Sequence, residues 1–146
     1  MSSHALTATP SISSTSPSTG LHRALWAAQA FLALAMLVAG AVKVLTPLDQ
    51  LAVSMPWVRD FAPLAVRAIG AAEVLGAIGL ILPSALRILP RLTALAALGL
   101  AALMVGAIQT DLAVSGPAKA AVPAVFAALS LFVAWGRGRA APIAAR

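Results

Sequence analysis

Four long apolar runs, at 24–45, 64–82, 92–108 and 120–135, leave this chain almost no alternative to crossing a membrane. A helix rises about 1.5 Å per residue, so about 20 apolar residues span a hydrocarbon core of roughly 30 Å. The two later runs are short for that purpose and gain length if Arg91 and Lys119, at their ends, extend their long side chains toward the headgroups. With 61% hydrophobic residues, 10% charged residues and a mean hydropathy of +0.97, the composition is far from that of a soluble domain. Ala and Leu dominate every run and no period-two alternation occurs. An open sheet would leave its edge groups unsatisfied in lipid, so the expected fold class is all-α, a four-helix transmembrane bundle.

The formal net charge of +6 does not form a nucleic-acid stripe, because the basic residues lie singly or in pairs near span ends. They fit topology instead. Arg23, Arg87, Arg91, Arg137, Arg139 and Arg146 fall on one side, which carries no acid. Lys43, Arg59, Arg67 and Lys119 fall on the other side with Asp49, Asp60 and Asp111, two of these basic residues within helices. The positive-inside rule then places both termini in the cytoplasm, with Trp26 and Trp135 at the inner interface and Trp57 in the outer loop. Residues 1–22 read as a disordered Ser/Thr/Pro-rich tail, 23–136 as the four-span domain and 137–146 as a short, frayed basic tail. A cleaved signal peptide fits poorly, since no Lys or Arg occurs before Arg23 and the first apolar run is too long.

Glu73 is the residue that asks for an explanation. It lies about 14 Å into the second run, near the midplane, where a carboxylate is costly unless protonated or paired. Gly70 and Ala77 share its helix face and turn that face toward a neighbouring helix. Met36, Ala39 and Gly40 make a similar small face below Lys43, and Ala102 and Gly106 do so below Gln109. The strings Gly40-Ala41-Val42-Lys43 and Gly106-Ala107-Ile108-Gln109 also raise the prospect of a parallel internal repeat. Arg67 is rotated about 120° from Glu73, which makes Lys43 the better partner, provided that the first span is tilted or set deeper. The pair reads first as a structural lock between helices; the functional reading is a polar anchor for an apolar ligand or, with Glu73 unpaired, a proton-carrying carboxylate.

The link at 46–63 mixes Leu51, Val53, Met55, Trp57, Val58 and Phe61 with three prolines, which suits a segment lying in the interface or dipping back toward the bundle. Either a lid or a plain interfacial loop has this composition. The short connection at 83–90 makes spans two and three an antiparallel hairpin. Both histidines, His4 and His22, precede the first span, no cysteine is present, and no His/Cys spacing suits a metal. Ser54, Ser84, Ser115 and Ser130 have no His partner for a hydrolase triad, Gly76 and Gly79 follow no strand that would make a phosphate loop, and Met104 reads as packing.

The run ending in Gly40 and Lys43, the string Pro56-Trp57-Val58-Arg59-Asp60-Phe61, and the run from Arg67 through Glu73 and Gly79 to Leu82-Pro83 resemble the DoxX family of small bacterial membrane proteins over residues 23–136. That resemblance implies a multi-pass protein of the bacterial cytoplasmic (inner) membrane, associated with quinone-linked respiratory oxidoreductases. Family members often carry His after the third span, where this chain has Gln109, Thr110 and Asp111. The expectation is a non-catalytic accessory subunit or scaffold in the lipid bilayer, with Lys43, Trp57, Arg67, Glu73 and Gln109 lining a site for a quinone or lipid-like ligand. A partner subunit would carry any redox centre, and no metal, covalent cofactor or nucleic acid is expected. The alternative is a small proton-coupled transporter acting as a homo-oligomer, with Glu73 as the carrier.

Overall fold

The computed structural model describes residues 19–144, all helices and turns with no strand among them. The disordered tail expected at 1–22 lies outside the described residues up to position 18, whereas 19–22 open the first helix. The helices are α1 (Thr19–Leu45), α2 (Leu48–Ser54), α3 (Pro63–Leu86), α4 (Arg91–Val114) and α5 (Pro117–Trp135), with a 3-10 turn at Pro56–Asp60 and a π-helical turn at Gly136–Ala140. Four of them are long and apolar enough to span a bilayer, each reaching beyond the run read from composition. Proline starts α3 and α5, where its missing N–H costs nothing and its fixed φ suits the first turn. Between α4 and α5 the chain reverses at Gly116, whose φ of +88° favours glycine.

Around the bundle, α1 packs on α3, α3 on α4, α4 on α5 and α5 on α1, an up-down-up-down arrangement. Leu32, Met36, Ala77, Leu80, Ala97, Leu100, Met104 and Val133 fill the centre. Large apolar side chains such as Leu34, Leu64, Leu75, Leu95 and Val125 point outward along all four long helices. In water so continuous an apolar surface would be a liability; here it is the lipid-facing belt.

The glycine faces divide into two kinds. A Cβ at Gly40 would lie 2.5 Å from the Gly70 carbonyl oxygen, and one at Gly70 would lie 2.8 Å from that of Gly40. These two glycines let the α1 and α3 backbones touch. On α4, by contrast, Gly99 and Gly106 face open space, and Ala102 and Gly106 are exposed. The small face read on α4 as a helix contact therefore packs against no helix, because no neighbouring element reaches that wall. Gly40 and Gly106 also stand in unlike environments despite the matching strings around them.

The link after α1 is neither extended nor a plain loop. Leu51 and Ala52 of α2 and Val58 of the 3-10 turn are buried against Val66 of α3, which pins the segment to the end of the bundle. At the opposite end, which bears the termini, Ser84 and Thr93 share a buried 2.8 Å hydroxyl contact across the α3–α4 hairpin. There too the expected frayed tail begins as an ordered π-helical turn with Arg137 buried.

Gly70→Val should lower stability by about 1–3 kcal/mol through overpacking against backbone that has no rotamer to change. Gly106→Val, facing open space, should change it by no more than about 0.5 kcal/mol. Reversible unfolding of the detergent-solubilised protein measures both.

Candidate functional site

Lys43 and Glu73 form a buried salt bridge, with Nζ 2.8 Å from Oε2 and 3.0 Å from Oε1. The Gly40–Gly70 contact explains how the pair meets. A Cβ at Gly40 would lie 3.0 Å from Glu73 Cβ, and one at Gly70 would lie 2.8 Å from Lys43 Cβ. Lys43 is thus level with Gly70 and Glu73 with Gly40, an offset of about 4.5 Å along antiparallel helices, which the lysine stem covers. Register and close approach together replace the extra depth that sequence arithmetic demanded of α1. Both charges are removed from lipid, Lys43 being 7% and Glu73 3% exposed.

Arg67 takes a different role. Its Nη1 donates to the carbonyl oxygens of Lys43 and, at 2.8 Å, of Thr46. These are carbonyls at the C-terminal end of α1 that have no intrahelical partner, and a cation there also complements the helix dipole. By holding the Lys43 backbone, Arg67 fixes the point from which the lysine side chain reaches Glu73.

Beside the bridge is a cavity of about 800 Å³, bounded by α1, α3, α4, α5 and the segment after α2. Lys43, Glu73, Trp57 and Gln109 line it; Arg67 does not. Its deeper wall is apolar, formed by Met36, Met104, Pro123 and Phe126. At the edge of the cavity α1 meets α5, where Phe31 stacks on the cavity-lining Phe126 with ring centroids 6.1 Å apart. Gly99, Ala102 and Gly106 make its α4 wall, so the open small-residue face is part of the cavity's lining. Trp57 meets Phe61 edge to face at 5.4 Å, giving the α2 end of the cavity an aromatic rim. A smaller hollow of about 350 Å³, between Leu48, Asp49 and Arg59, holds none of the intramembrane polar groups.

An ammonium has three N–H donors, and Glu73 takes two of those of Lys43. The third remains for a carbonyl or hydroxyl in the cavity, as do lone pairs on the carboxylate. Gln109 adds an amide at the α4 wall. Among the described residues no group of three His, Cys, Asp or Glu side chains could hold a metal ion. The arrangement can hold a molecule with a polar head and an apolar body.

Several features escaped sequence reading. Lys119, Val122, Pro123 and Phe126 all line the cavity, and their three- and four-residue spacing was the available signal that one face of α5 belongs to the site. Met55 and Asp111 also reach it. A second buried polar group, at the terminal end, passed unnoticed: Gln29 donates from Nε2 to the Leu80 carbonyl oxygen at 2.6 Å and accepts from Arg137 Nε. A glutamine inside an apolar run was its only sequence mark.

Residues 27–133 match the DoxX-like family. The chain belongs to that family. This DoxX-like protein is a multi-pass membrane protein by the length and composition of its four long helices. The matched segment contains Lys43, Trp57, Arg67, Glu73 and Gln109, and it ends before Arg137. No curated protein and no solved structure matches the chain.

Removing one charge of the bridge should be worse than removing both. Lys43→Met is expected to cost about 3–5 kcal/mol by stranding the carboxylate, while Lys43→Met with Glu73→Leu should recover most of that loss. A double-mutant cycle on unfolding in detergent measures the difference.

Proposed function

We propose that this DoxX-like protein is a non-catalytic membrane subunit that binds a quinone-like amphipathic molecule, as part of a quinone-linked oxidoreductase system whose redox centre lies on a partner. The observation that carries the reading is that the Lys43–Glu73 bridge lines a cavity of about 800 Å³ instead of being sealed between helices. Small-molecule sites commonly enclose about 300–1,000 Å³ and combine apolar walls with a few convergent polar groups. A ring bearing carbonyl oxygens would accept from the free Lys43 N–H and from Gln109, stack against Trp57, and lay its apolar tail along Gly99, Ala102 and Gly106 toward lipid. The redox link itself comes from the family resemblance and not from any residue of the cavity. In this reading the membrane is the bacterial inner membrane, with the termini on the cytoplasmic side as the arginine distribution favours.

Proton-coupled transport by a homo-oligomer is the second reading. It requires Glu73 to leave Lys43 in each cycle, yet both carboxylate oxygens are held at 2.8 and 3.0 Å. The bridge therefore favours a fixed polar anchor over a mobile proton carrier.

A short-chain quinone titrated into the protein in lipid nanodiscs should quench Trp57 fluorescence saturably. Ala102→Phe, which fills the cavity without touching the bridge, should abolish saturation while leaving the unfolding temperature unchanged. Gln109→Leu should weaken binding by about tenfold, the worth of one hydrogen bond to a polar head. Quenching that is unsaturable, or identical in wild type and Ala102→Phe, would mean the cavity does not take a quinone.

A further inference from the structure

At the terminal end a further charge is buried, and among the described residues no acidic side chain faces it. Arg137 is 3% exposed, and its Nη2 has no hydrogen-bond partner. Nε donates to Gln29 Oε1, and Nη1 reaches the Ala141 carbonyl oxygen only at 3.5 Å. The Trp26 ring lies 5.2 Å from the guanidinium carbon, a cation–π contact but no counter-charge. All four acidic residues are elsewhere: Asp49, Asp60 and Asp111 at the α2 end, and Glu73 already paired. Arginine does not escape by losing its proton, so a buried guanidinium keeps its charge and its need for acceptors.

His22 does not resolve this shortage. Its Nε2 accepts from Trp26 Nε1 at 3.2 Å, and its Nδ1 is 3.4 Å from Arg137 Nη1. A neutral imidazole has one acceptor nitrogen and one N–H. If Nε2 accepts from the indole, Nδ1 carries the hydrogen and faces the guanidinium as a second donor. The guanidinium and the imidazole then present N–H groups to the same place, with the exposed Arg139 on the turn that carries Arg137 and Arg23 next to His22 in sequence.

We propose that Arg137 and His22 form a binding site for a phosphate-type oxyanion at the terminal end of the bundle, entered by displacing the long Ala141 contact. Phosphate oxygens accept from Nη1, released from Ala141, from the unpartnered Nη2 and from His22 Nδ1–H, which completes the guanidinium's hydrogen bonds and neutralises its charge. The site follows Trp135, an aromatic residue of the kind found at headgroup depth, so the oxyanion has two sources: the phosphate of an anionic lipid or free phosphate. Gln29 and Trp26 position the guanidinium and do not contact the anion. The site is independent of the α2-end cavity, and Arg137 and His22 lie outside the segment matched to the family.

The test uses the full chain in nanodiscs, read by native mass spectrometry for retained lipid and by thermal unfolding. Phosphatidylglycerol in a phosphatidylcholine bilayer should raise the unfolding temperature and be retained by the wild type. Arg137→Gln should weaken retention about tenfold or more, whereas Arg139→Gln, at an exposed position, should leave it nearly unchanged. His22→Phe serves as the second variant and should weaken retention less. Phosphatidylcholine discs with added inorganic phosphate separate the sources: stabilisation there, without lipid retention, assigns the site to free phosphate. If Arg137→Gln does not fold, the wild-type comparison and His22→Phe decide alone. A wild type indifferent to both phosphatidylglycerol and phosphate overturns the proposal, as does equal loss in Arg137→Gln and Arg139→Gln.

Discussion

The contact of Gly40 with Gly70 is the constraint on which the site depends. Two backbones meet where any side chain would collide with a carbonyl oxygen, and that meeting sets the register of α1 against α3. From the register follows the three-residue offset between Lys43 and Glu73, and from the offset a bridge that neutralises both charges in a low-dielectric setting. Arg67 reinforces the geometry from behind by holding the carbonyl oxygens at the end of α1. An acid at membrane depth is therefore stabilised by three cooperating features on two helices.

The cavity has a complementary origin. Gly40 on α1 and Gly70 on α3 are consumed in helix packing, but Gly99 and Gly106 on α4 face no partner and border the cavity. The space that results is roofed by the segment after α2, which is anchored to Val66 of α3 through its own Val58 and through Leu51 and Ala52 of α2. One wall is thus polar and rigid while another is smooth and bounded by glycine. An amphipathic ligand suits that contrast better than a small ion, which would leave most of the volume unused.

The two ends of the bundle solve the burial of charge differently. At the α2 end a carboxylate and an ammonium satisfy each other within the chain. At the terminal end a guanidinium is buried with no acidic side chain beside it among the described residues, and a singly protonated His22 has one acceptor nitrogen for its two neighbours. Ser84, Thr93 and Gln29 show that the same end otherwise pairs its buried polar groups with care. The unpartnered Nη2 stands out against that background.

Apolar runs long enough to cross a bilayer determined the four spans, because lipid leaves the backbone no option but helix. The depth of Glu73, the small residues on its face and the angular position of Arg67 were enough to select Lys43 as its partner, since these depend only on helical geometry. Tertiary structure alone decided that the α4 glycines border a cavity, that Arg67 caps α1, that the link after α1 folds into helical turns, and that Arg137 leaves the expected tail to meet Gln29. A sequence encodes which residues share a face of one helix. Which other face lies opposite, at what register and at what distance, is set by packing among all four helices at once.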